Sequence, residues 1–137
     1  MIVFISCVKS KQNKQCTAKE LYTSDLFKKS LQYAKQLKPR KIYILSAKYG
    51  VLELDDIVEP YELTLNNMTE YQRKVWAYKV VKQCEQKGVD FTEKAVFLCG
   101  ENYRKYVMQK FKNAEAPLKK LGIGQQLKFY KDNLKEL

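Results

Sequence analysis

Lys41-Ile42-Tyr43-Ile44-Leu45-Ser46-Ala47-Lys48-Tyr49-Gly50 is the stretch on which the fold turns. Its first half is a short run of β-branched, aromatic and aliphatic residues, the pattern of a strand buried on both faces. Its second half is small and polar and closes on a glycine, as a chain does when it must turn. Two further runs have the same form. Ile2-Val-Phe-Ile5 leads to Ser6-Cys7, and Lys94-Ala-Val-Phe-Leu-Cys99 leads to Gly100.

Helical patterns separate and follow these runs. Thr17-Ala-Lys-Glu20 matches a capping box, in which a threonine hydroxyl and a glutamate three residues on satisfy amides at a helix start. Phe27, Ser30, Leu31 and Ala34 then recur at helical spacing, with Pro39 past the end. Thr69-Glu-Tyr-Gln72 is a second capping box, followed by Trp76, Ala77, Val80, Val81 and Cys84 on one face and Gly88 at the stop. A third helix is expected from about Asn102, one further turn after Pro117, and a last helix through Leu127, Tyr130 and Leu134. Residues 51–68 show no helical period and read as a long excursion with a short edge strand near Val51 to Leu54.

Strands alternating with helices specify an α/β fold, a small three-layer domain with a mainly parallel sheet of at least three strands and helices on both faces. Its length of 137 residues suits one domain spanning 1–137. Right-handed crossovers place the three strand C-terminal ends on one edge, where open α/β sheets bind ligands. Ser6-Cys7, Ser46 to Gly50 and Cys99-Gly100 therefore converge.

The chain has no histidine. This excludes Ser-His-Asp and Cys-His catalysis and removes the commonest metal ligand, so proton transfer falls to Asp, Glu, Lys, Tyr or Cys. Four cysteines without CxxC spacing point to reduced thiols, with Cys7 by default a buried, inert one. Neither a metal nor a cofactor is expected. The opening apolar run is too short for a signal peptide, and no run reaches the roughly 20 apolar residues of a membrane span. A cytoplasmic protein without a membrane partner is expected.

Formal net charge is +11, unevenly spread. Between residues 51 and 70 lie Glu53, Asp55, Asp56, Glu59, Glu62 and Glu70 with no base among them. This acidic island interrupts a basic chain. The basic remainder suits a polyanion partner, nucleic acid or nucleotide above all. Scattered lysines on helix faces also serve solubility alone, and both readings stand at this point.

The candidate ligand-binding residues are Ser6, Cys7, Lys9, Lys11, Ser46, Lys48, Tyr49, Gly50, Tyr61, Gly100 and Tyr103. Backbone amides at the strand ends, with helix starts at Thr17 or Asn102, would hold an anion; Lys9, Lys11 and Lys48 would add charge. Tyr49, Tyr61 and Tyr103 offer stacking faces and phenol donors, and Arg104 would reach phosphate. Gly50 would allow a turn with positive φ. The candidate catalytic residues are Glu59, Glu62 and Lys48, a carboxylate being the group able to act as acid, base or stabiliser of an oxocarbenium-like centre. Glu53, Asp55 and Asp56 read instead as solvated acids paired with the basic body.

Leu45-Ser-Ala-Lys-Tyr-Gly-Val-Leu52, Glu59-Pro-Tyr-Glu-Leu63, Gly100-Glu-Asn-Tyr103 and the opening Ser6-Cys7 with Lys9 together resemble a small family of uncharacterised bacterial and phage proteins. That family is distantly similar to the YaaA peroxide-stress DNA-binding family and to domains of archaeosine tRNA-modification proteins. The resemblance implies a cleft for a nucleobase, nucleotide or nucleic-acid segment and brings N-glycosidic chemistry into view. Two other classes stay open: a small-molecule enzyme of nucleosides or nucleotides, and a non-catalytic stress or interaction protein.

Overall fold

The computed structural model describes residues 1–6 and 11–135. In chain order these form β1 (Ile2–Ser6), β2 (Cys16–Thr17), α1 (Ala18–Leu21), α2 (Asp25–Gln36), β3 (Lys41–Ser46), β4 (Gly50–Glu53) and β5 (Ile57–Val58). After these come α3 (Glu70–Gln86), β6 (Ala95–Leu98), α4 (Glu101–Arg104), β7 (Ala114–Glu115) and α5 (Ile123–Asn133), with 3-10 turns at Leu65–Asn67 and Met108–Lys110.

The three apolar runs are the centre of a five-stranded sheet ordered β4-β3-β1-β6-β7. β1 pairs in parallel with β3 and β6, which puts the ends of all three on one edge. Consecutive residues of β1 and β6 are buried, so the sheet is covered on both faces. Register places Phe4 beside Tyr43 and Phe97, and the Phe4 and Phe97 rings stack at 4.8 Å between centroids. Phe111 closes on both edge-on. α2 packs on β1 and on α5, and α3 packs on β4.

Several local expectations are corrected. The helix expected to run on from Thr17 is two helices, because the true cap lies seven residues later: Ser24 accepts from the Phe27 amide at 3.1 Å and opens α2. Thr17 makes no cap bond; its hydroxyl donates to the Glu20 carboxylate at 2.6 Å instead. The helix expected from Asn102 lasts four residues and gives way to a 3-10 turn. Neither α1 nor α4 is long enough to build an anion site at its start. The excursion over 51–68 is more ordered than expected, with β4 antiparallel to β3 and β5 paired with β2. β7, two residues long, carries no sequence signal of its own. Among the described residues no helix is long and apolar enough to cross a membrane.

Candidate functional site

A cleft of about 610 Å³ opens at the C-terminal ends of β1 and β6. Ser6 and Leu98 to Gly100 form its floor, and Leu26, Phe27 and Ser30 of α2 form one wall. Glu62 to Thr64, with Asn66, face them, Asn102 and Tyr103 of α4 close one end, and Gln126 and Tyr130 of α5 line the far side. Its size is that of a small-ligand site, and its lining mixes aromatic, amide and hydroxyl groups. A larger basin of about 900 Å³ between α2 and α5 is a shallow surface feature lined by Lys29, Lys128, Lys131 and Lys135, away from the strand ends.

The rim is held by specific bonds. Asn102 donates its side-chain amide to Asn66 Oδ1 at 2.8 Å, tying α4 to the 62–66 segment. Tyr103 is buried, lies edge-on to Trp76 at 5.7 Å, and accepts at its phenol from the Leu65 amide at 3.4 Å. Arg73 donates to the carbonyls of Leu65 and Asn66 from below. Lys11 enters the cleft with its ammonium 4.7 Å from the Tyr61 ring centroid and 5.9 Å from that of Tyr22, a cation–π seat.

Of the residues singled out in the sequence, Ser6, Lys11, Glu62, Gly100 and Tyr103 line this cleft. Cys7 and Lys9 lie outside the described residues. The end of β3 is not part of the lining. Ser46 is fully buried, its hydroxyl donating to Tyr61 Oη at 2.8 Å and accepting from the Tyr49 amide at 3.1 Å. Tyr61 Oη in turn shares a 2.7 Å hydrogen bond with Tyr22 Oη. Trp76 donates to the Ser46 carbonyl at 2.9 Å. The hydroxyls of Ser46, Tyr61 and Tyr22 thus seal this strand end behind Lys11.

Beyond Ser46 the chain makes the β3–β4 turn. Gly50 has φ +80°, a conformation few side chains tolerate. Gln83 of α3 grips the turn from both sides, donating to the Tyr49 carbonyl at 3.0 Å and accepting from the Val51 amide at 2.7 Å. The Tyr49 phenol donates to the Glu59 carbonyl and accepts from the Glu59 amide, both at 3.1 Å. Lys48 is exposed, its ammonium 5.2 Å from the neighbouring Tyr49 ring. Lys48, Tyr49, Gly50 and Glu59 therefore build a pinned turn outside the cleft lining. Among the three candidate catalytic residues, Glu62 is the one brought to the cleft.

Over residues 2–132 the sequence matches DUF6884, a family of unknown function. The chain belongs to that family. No curated protein of known function matches it in sequence.

In this DUF6884 member the structure gives several residues roles that no motif announced. Arg104 is buried and donates to the Cys99 carbonyl at 3.0 Å, capping the floor rather than reaching outward. Cys99, also buried, points its thiol to the Phe4 carbonyl at 3.5 Å. Tyr130 is wholly buried beside Tyr33 and Phe129. Gln83, Gln126 and Asn66 are polar side chains on helix and turn surfaces that only tertiary packing brings to their partners. The one signal available was Gln83 itself, a polar residue flanking the apolar face of Val80 and Cys84.

Proposed function

We propose that this protein binds a nucleobase, free or carried by a nucleotide or nucleic acid, in the cleft at the ends of β1 and β6. The observation that carries the reading is the lining: the aromatic side chains of Phe27 and Tyr103, the side-chain amides of Asn66, Asn102 and Gln126, and the acids Glu62 and Glu101 around one cleft of about 610 Å³. Flat heterocycles are recognised by this combination of stacking and edge-on hydrogen bonds.

For cleavage of an N-glycosidic bond we assign the work to Glu62, which lines the cleft with Glu101, as a carboxylate stabilising positive charge on the sugar or activating water. The test is incubation with nucleosides, nucleotides and single- and double-stranded DNA and RNA, with released base read by chromatography. Release that falls at least about 100-fold in Glu62→Gln supports the catalytic reading. Binding without release leaves a base-binding module, and release unchanged in Glu62→Gln removes Glu62 from the chemistry.

A specific surface favours nucleic acid as the carrier of the base. Tyr71, Val75 and Tyr78 are exposed on one face of α3, and Lys82 lies 5.4 Å over the Tyr78 ring, with Lys74 alongside. Aromatic side chains interleaved with lysines stack on and neutralise single strands. Tyr71→Ala with Tyr78→Ala should weaken single-strand binding, and that binding should fall steeply with salt.

A further inference from the structure

The phenol of Tyr130 is the one buried side-chain polar atom among the described residues with no hydrogen-bond partner. The ring is fully buried, wedged against Tyr33 and Phe129, yet it lines the cleft. A hydroxyl buried without a partner carries a desolvation cost, and such groups in native proteins are retained for a reason. Phenylalanine would fill the same space without that cost. Burial pushes the phenol above its ordinary range, so it stands as a neutral hydroxyl, able both to donate and to accept. Ser30, also in the lining, has its hydroxyl committed to the Phe27 carbonyl at 2.8 Å, and Gln126 donates to the Leu121 carbonyl at 3.0 Å, so Tyr130 carries the hydroxyl on the helical side that has no partner.

Among the described residues, the charges of the lining are opposite in balance to those of the protein. Lys11 is the sole base among the described lining residues, against Glu62 and Glu101, in a chain of formal net charge +11. Lys11 is moreover seated over the Tyr61 ring. A site for a polyphosphate or for a nucleic-acid backbone gathers bases. The described lining gathers no base beyond Lys11 and offers uncharged donors and acceptors around apolar walls.

We infer that the cleft selects an uncharged nucleobase or nucleoside unit and discriminates against polyphosphorylated forms, with the Tyr130 hydroxyl hydrogen-bonding that unit. This rests on the base-binding reading above and narrows it to a ligand class. Any phosphates of a longer substrate then lie outside the cleft.

The experiment is calorimetric titration of the wild-type protein and of Tyr130→Phe with free bases, nucleosides and the matching mono- and triphosphates, together with thermal melts of both proteins without ligand. The expected result is that at least one base or nucleoside binds, that its triphosphate binds at least tenfold more weakly, and that Tyr130→Phe loses at least fivefold in affinity. Its unliganded melting temperature should equal or exceed that of the wild type, because removing an unpaired hydroxyl removes a cost. A structural tyrosine would lower it instead. Equal or tighter triphosphate binding overturns the charge selectivity while base binding stands. Unchanged affinity in Tyr130→Phe overturns the role of Tyr130 alone. Failure of every base, nucleoside and nucleotide to bind overturns the base-binding reading and this inference together.

Discussion

Ser46 Oγ and Tyr61 Oη lie 2.8 Å apart in a buried hydrogen bond that joins the end of β3 to the acidic segment after β5. Tyr61 extends the contact to Tyr22 Oη at 2.7 Å, and Lys11 sits over the Tyr61 ring. One tyrosine therefore couples the sealed strand end to the only base among the described residues lining the cleft. Tyr61→Phe leaves the Ser46 hydroxyl without its acceptor in a dry site. The expected cost is about 1–3 kcal/mol, read from denaturant melts. Ligand affinity should fall little, since the ring beneath Lys11 remains.

Gly50 and Gln83 make a second, stricter pair. A Cβ at Gly50 would lie 2.1 Å from Gln83 Oε1, and its φ of +80° disfavours any side chain. Gly50→Ala must displace the side chain that bonds both Tyr49 and Val51. A loss of at least about 2 kcal/mol is expected, from backbone strain plus broken bonds. Gln83→Ala should lose less, because the positive φ stays with glycine. A Gly50→Ala protein as stable as wild type would contradict this account of the turn.

Acid should weaken the opposite edge of the sheet. Glu93 bonds Arg40 at 2.8 Å and the Met1 ammonium at 2.9 Å, which hold its carboxyl down from 4.5 to about 2. The folded state thus favours the ionised form, and the stabilisation is fully present above about pH 4.5. As pH falls the unfolded chain takes up the proton first, and the contribution disappears by about pH 2. The melting-temperature gap between wild type and Glu93→Gln should therefore be constant near neutrality and close between these limits.

Thiol chemistry offers an independent check on the core. Burial raises the Cys84 thiol to about 12, and the side chain is fully enclosed beneath α3. Mass-resolved alkylation at pH 8 should leave Cys84 unmodified in the folded protein and modify it after denaturation. Rapid labelling of Cys84 under native conditions would mean that α3 opens readily from the sheet.

The strands and their shared edge were legible because a doubly covered parallel strand must be apolar throughout, as Ile2 to Ile5 and Ala95 to Leu98 are. The capping box at Thr69 was legible for a similar local reason, both its bonds being formed within four residues. The identical pattern at Thr17 misled, since Ser24 supplies a cap for the longer, better buried helix. Of the strand ends that the sequence singled out, those of β1 and β6 line the cleft and that of β3 does not. Lys48, Tyr49 and Glu59 carry chemically capable side chains, and nothing local says that Gln83 and the Tyr49 phenol fix them as a turn. The unpartnered hydroxyl of Tyr130 was invisible, because an aromatic at helical spacing looks like core whether or not its hydroxyl finds a partner.

The central claim is that a base occupies the cleft at Ser6, Gly100, Tyr103 and Gln126. Backbone amide spectra recorded during titration with nucleosides and free bases test it directly. The account predicts saturable shifts at Gly100, Asn102, Tyr103 and Gln126, with Lys48 to Gly50 and Glu59 unmoved. Shifts centred on Lys48 to Gly50 and Glu59, or none at the cleft residues with any base or nucleoside, would contradict it.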